Sequence, residues 1–65
     1  MTKAQQKEQA IRDLTDTYFR NCTGVETEKE AREYAEHVWA ANFAAHGFGP
    51  ALGAVMRAEY RYSDM

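Results

Sequence analysis

Residues 37–56, HVWAANFAAHGFGPALGAVM, run for twenty positions without an Asp, Glu, Lys or Arg. In a chain of 65 residues, such a block must cross a membrane, fill a core or meet a partner. Spanning a bilayer takes about 20 predominantly apolar residues in one helix. This block carries His37, Asn42, His46, Gly47, Gly49, Pro50 and Gly53. Pro50 and its neighbouring glycines would break a helix at mid-depth, where unpaired backbone groups are costly. The membrane reading fails. The block is read instead as the end of one helix, a tight Gly/Pro corner at HGFGP and the start of another. Gly47 suits the left-handed conformation that closes a helix. Pro50 suits the first position of the next, where its missing N–H is no loss.

The rest of the pattern predicts a single all-α domain over 1–65, with three helices at about 3–22, 28–46 and 50–62. Thr2 and Gln5 have the spacing of a capping box, although the first half-dozen residues are expected to fray. Ile11, Leu14, Tyr18 and Cys22 recur at three- and four-residue steps and so share one stripe. Glu8–Arg12 and Asp16–Arg20 are spaced for pairing, as are Glu28–Arg32 and Lys29–Glu33. Gly24 is expected to cap the first helix, and Thr27 with Glu30 forms a second capping box. From Val38 to Ala45 the second helix is apolar nearly all round, which predicts burial on every side. Leu52, Val55, Met56 and Tyr60 are expected to face inward on the third. Gly53 there costs up to about 1 kcal/mol relative to alanine, tolerable where backbones approach closely. Ala40, Ala41, Ala44 and Ala45 would supply one small face for that approach, and Ala51, Gly53, Ala54 and Ala58 the other.

The core is expected to be thin. Hydrophobic residues make up 45% of the chain, but eleven are alanine. A chain of about 60 residues buries only about 60% of its unfolded surface and usually needs further support. Cys22 is the only cysteine, so no disulfide within the chain can supply it. Self-association is the expected route, with Trp39, Phe43, Phe48, Leu52 and Met56 serving as core or as the interface between copies. One or two of the aromatic rings would cross the subunit boundary. A lone thiol suits a reducing compartment, and MTKAQQKEQA lacks the apolar run of a secretory signal, so the expected location is the cytoplasm.

No group of residues predicts catalysis, and no cofactor or metal site is expected. Cys22 falls at a helix C-terminus, where the dipole opposes a thiolate, and is read as packing. His37 and His46 lie nine residues apart, on opposite sides of one helix, and Glu33 with His37 makes two ligands at most. Residues 23–46 hold two positive and five negative charges, a net of −3. The face carrying Glu26, Glu28, Glu30, Glu33 and Glu36 is thus a candidate surface for a basic partner, with a charge that could mimic nucleic acid. Arg57, Tyr60 and Arg61 are candidate ligand-binding residues, since guanidinium groups hold phosphate and a ring can stack a base. A DNA-reading helix-turn-helix drawn from Trp39 to Tyr62 would use Arg57 and Arg61. Gly47, Pro50 and the acidic second helix oppose that reading.

The expected function is that of a small, non-enzymatic, homo-oligomeric interaction protein, regulating or inhibiting another macromolecule, most simply a protein, by binding it. The alternatives are an oligomeric binder of a nucleotide-like phosphate ligand and a DNA-binding regulator. In size and economy the chain resembles small phage- or plasmid-borne accessory proteins, a likeness of type with no residue motif behind it.

Overall fold

In the computed structural model, which describes residues 1–63, three helices account for nearly the whole chain. Helix α1, Lys3–Asn21, begins at a complete capping box. The Thr2 hydroxyl accepts the Gln5 N–H (3.1 Å), and the Gln5 side-chain oxygen accepts the Thr2 N–H (2.9 Å). With those donors satisfied, the turn expected to fray is helical from Lys3. Cys22 closes α1 in an extended conformation, its N–H donated to the Tyr18 carbonyl. Gly24 is not the helix cap. It holds φ +93° in the following turn, where the Val25 N–H reaches the Cys22 carbonyl (3.4 Å), a position that calls for positive φ.

Helix α2, Glu28–His46, starts at Thr27, whose hydroxyl accepts the Glu30 N–H (3.1 Å). The expected second capping box is only half made. The Glu30 carboxylate takes the Thr27 hydroxyl (3.3 Å) rather than the Thr27 backbone N–H. Helix α3, Phe48–Tyr62, follows after one residue, Gly47, at φ +91°. The Gly47 N–H bonds to the Phe43 carbonyl (2.9 Å), and its own carbonyl accepts the Ala51 N–H (3.1 Å). Ala51 therefore makes the first backbone bond of α3, and the three positions before it have no acceptor within the helix. Pro50 fits at the third position for the same reason it would fit at the first, so α3 begins two residues earlier than its proline suggested.

The helices run up, down and up. Lys7 lies over the Trp39 ring (5.5 Å), Lys3 over Phe48 (5.6 Å), and Tyr18 meets Tyr62 edge-on (5.4 Å). These pairings set α1 antiparallel to α2 and parallel to α3. The extents, 29 × 18 × 18 Å, match one 19-residue helix in length at about 1.5 Å per residue. No helix among the described residues is long and apolar enough to cross a membrane.

The sealed core is Ala10, Ile11, Leu14, Tyr18, Ala31, Ala35, Trp39, Ala51 and Val55. The α1 stripe is as expected, with Cys22 half-buried at its end. Two other expectations are corrected. Helix α2 is not buried on every side from Val38 to Ala45: it turns Ala31, Ala35 and Trp39 inward and leaves Ala40, Ala41, Phe43, Ala44 and Ala45 exposed. On α3 the inward line runs through Ala51, Val55, Ala58 and Tyr62, while Met56 and Tyr60 point outward and Leu52 lies at the margin. Small residues face the core because helices this short of bulky side chains must sit close to exclude water. Gly53 does not serve that approach. A Cβ there would meet only the tip of Arg57, at 3.2 Å, within 4 Å.

Gly53→Ala should therefore raise stability by about 0.5–1 kcal/mol in urea unfolding, through the better helix propensity of alanine. A loss would show that a backbone packs against this position after all. Leu14→Ala, at a fully buried site, should cost about 2–5 kcal/mol, enough to unfold so small a domain.

Candidate functional site

Two half-exposed apolar surfaces flank α1. The first is a groove of about 450 Å³ where α1 meets the α2–α3 junction, lined by Lys3, Ala4, Lys7, Trp39, Ala40, Phe43 and Phe48. Trp39 stacks on Phe43 (5.9 Å, 21°) and meets Phe48 edge-on (5.4 Å, 73°). Trp39 is 5% exposed and anchors the cluster to the core, whereas Phe43 remains 49% exposed. The ammonium groups of Lys3 and Lys7 lie over the Phe48 and Trp39 rings, a favourable cation–π placement. Among the described residues no carboxylate lines this groove.

The second surface is a shallow seam of about 290 Å³ between α1 and α3, lined by Met1, Gln6, Gln9, Ala10, Asp13, Leu52, Met56 and Glu59. Met56 is 56% exposed. Asp13 accepts a bond from Gln9 (2.9 Å). Burial, and secondarily the nearby Asp13 charge, push the Glu59 carboxyl above its ordinary range. Of the five residues expected to form core or interface, Trp39 is core, Phe48 and Leu52 are half-buried, and Phe43 and Met56 face solvent on separate surfaces.

At the opposite end of the bundle a cleft of about 420 Å³ gathers Tyr18, Cys22, Tyr34, His37 and Tyr62. Burial raises the Tyr18 hydroxyl's pKa, with smaller contributions from Tyr62 and Cys22. Cys22 and His37 thus share a cleft although one caps α1 and the other lies on α2. His46 stands apart, exposed at the end of α2. No cluster of three or more His, Cys, Asp or Glu side chains that could hold a metal ion occurs among the described residues.

The acidic face is partly tied down. Arg32 bonds both Glu8 oxygens (2.8 and 2.9 Å) from across the α1–α2 groove and also bonds Glu36 (2.9 Å). It therefore turns away from Glu28, its expected partner. The Arg32 guanidinium holds the Glu8 carboxyl below its ordinary range, and the two carboxylates raise the pKa of Arg32. Glu8–Arg12 (3.8 Å) and Asp16–Arg20 (3.2 Å) form as spaced. The expected Lys29–Glu33 pair is not among the ion pairs of the described residues. Glu26, Glu28 and Glu33 remain exposed, and Glu30 is half-buried at its cap.

The residues expected to hold a phosphate have these places in the structure. Arg57 reaches back toward Gly53, Arg61 lies beside the Tyr62 ring (5.9 Å), and Tyr60 is 80% exposed. Helix α3 runs back alongside α2, from Phe48 at Trp39 to Tyr62 near Tyr34 and His37, whereas helix-turn-helix units set their two helices at about 90–120°. Lys3, Lys7, Asp13 and Glu59 were not singled out from the sequence. The i,i+4 spacing of the lysines is a signal in the sequence; the parallel alignment of α1 with α3, which brings Asp13 beside Glu59, is not.

No protein-family model, curated protein or solved structure matches this chain.

Glu8 and Glu59 give opposite pH signatures. A lowered folded pKa makes the Glu8 contribution present above its ordinary value and lost as the pH falls through the acid range. A raised one makes Glu59 a penalty that appears as the pH rises past that value. Glu59→Gln should raise the melting temperature at pH 7, with the gain gone by about pH 3.5. Arg32→Met should lower it at pH 7 and matter far less once Glu8 is protonated. Equal effects at both pH values would contradict these assignments.

Proposed function

We propose that this chain is a small, non-enzymatic helical interaction protein that assembles with copies of itself and regulates or inhibits another macromolecule by binding it. The observation that carries the reading is the exposure of Phe43 and Met56 on a bundle whose sealed core, among the described residues, holds nine apolar side chains, four of them alanine. Large apolar side chains left in water beside further apolar surface mark contact sites. In this reading the Gly/Pro corner at Gly47 and Pro50, with Phe48 against Trp39 and Phe43 exposed just before it, is the surface a neighbouring copy covers. The carboxylates of Glu26, Glu28 and Glu33 face water without a cation and fit a basic patch on a partner protein.

Light scattering tests the first half. The expected mass at micromolar concentration is a multiple of 7.4 kDa. A monodisperse monomer would overturn it. For the second half, a Glu26/Glu28/Glu33→Gln variant should lose the macromolecule retained by the wild type in its native host. Undiminished retention would remove the acidic face from the account.

A further inference from the structure

We infer that copies of this chain join head to tail, the lysine-rimmed aromatic groove around Phe43 of one copy receiving the acid-rimmed Met56 seam of the next. This rests on the self-association proposed above and specifies its geometry. The two surfaces lie on different flanks of α1: Lys3, Ala4 and Lys7 line the groove, whereas Gln6, Gln9, Ala10 and Asp13 line the seam. A two-fold contact of either surface with itself would leave the other uncovered.

Charge decides between the arrangements. Among the described residues the groove is lined by two lysines and no carboxylate; the seam is lined by the carboxylates of Asp13 and Glu59, against which stands the amino terminus of Met1. Groove on groove would crowd four lysines, and seam on seam four carboxylates, while groove on seam sets opposite charges around an apolar centre. Like charges brought together at an interface disfavour the pairing, and complementary ones fix it. None of the four is held in an ion pair among the described residues: the lysines lie over aromatic rings, and Asp13 accepts the Gln9 amide. The ion pairs of the described residues join Glu8, Arg12, Asp16, Arg20, Arg32 and Glu36, and none uses Lys3, Lys7, Asp13 or Glu59. An incoming ammonium would also offset the burial and the Asp13 charge that now disfavour an ionised Glu59.

The side chains suit one another. An unbranched thioether adapts to an irregular aromatic surface and makes favourable sulfur–ring contacts. Met56 would fill the groove beside Phe43, with Leu52 behind it. Such a head-to-tail contact uses two different patches, so it closes into a ring when the rotation permits and otherwise extends as a filament.

Mixing two variants tests this. Phe43→Glu spoils the groove and Met56→Lys spoils the seam, each at a side chain already about half exposed, so circular dichroism should show the helices retained. Each variant alone should be monomeric, and an equimolar mixture should regain association, because one contributes an intact seam and the other an intact groove. If the wild type associates but the mixture stays monomeric, or if only one substitution has an effect, the contact joins like surfaces; head-to-tail joining is then wrong while self-association stands. A wild type that is monomeric at every concentration overturns both. Should either variant unfold, Lys7→Glu and Glu59→Lys provide the same logic on surface charges. Each should weaken association by roughly tenfold, and both in one chain should restore it. No restoration would overturn the proposal.

Discussion

The rest of the structure depends on the close approach of three helices over Ala10, Ala31, Ala35 and Ala51. Alanine brings helix axes near one another without losing side-chain rotamer freedom, but it removes little apolar surface from water. Among the described residues only Ile11, Leu14 and Val55 are both large and fully sealed, with Trp39 and Tyr18 closing the two ends of the bundle. A core built this way has a fixed and small capacity. Phe43 and Met56 stay outside because the faces that carry them point away from the line along which the helices meet.

Polar groups follow from the same geometry. Thr15 and Thr17, both buried on α1, return their hydroxyls to the Ile11 and Asp13 carbonyls (2.7 and 3.0 Å), and no buried side-chain polar atom among the described residues lacks a partner. On the surface, Arg32 joins two helices by a forked bond to Glu8, a geometry that makes such a pair more specific than a simple ion contact. The lysines of the first turns cover aromatic rings without sealing them. The outer surface is thus divided: one flank of α1 is basic and aromatic, the other acidic and rich in methionine.

Much of the architecture was legible in the residues themselves. Thr2 with Gln5, Thr27 and Gly47 mark helix ends by local chemistry, and the Ile11–Leu14–Tyr18 stripe is a matter of spacing. The inward face of α3 differs from the one that bulky Met56 and Tyr60 suggest, because Ala51 and Val55 turn in instead; periodicity places residues on a face, and packing decides which face turns in. The Arg32–Glu8 pair spans 24 residues, so no local pattern announces it. The same holds for the two surfaces around α1, whose residues come together only once α3 lies parallel to α1. The uncharged block from His37 to Met56 signals apolar surface in excess of the core: Phe43 and Met56 are exposed, and Ala40, Ala41, Ala44 and Ala45 are exposed where burial was expected, while Ala51 is sealed.

That excess is the central claim, and the dependence of thermal stability on protein concentration tests it most directly. Assembly that covers Phe43 and Met56 binds only folded chains, so mass action should shift the unfolding midpoint. The melting temperature should rise steadily as the concentration is raised from low micromolar to millimolar. A melting temperature that stays constant over that range would show that the solitary bundle, with both side chains in water, is the finished protein.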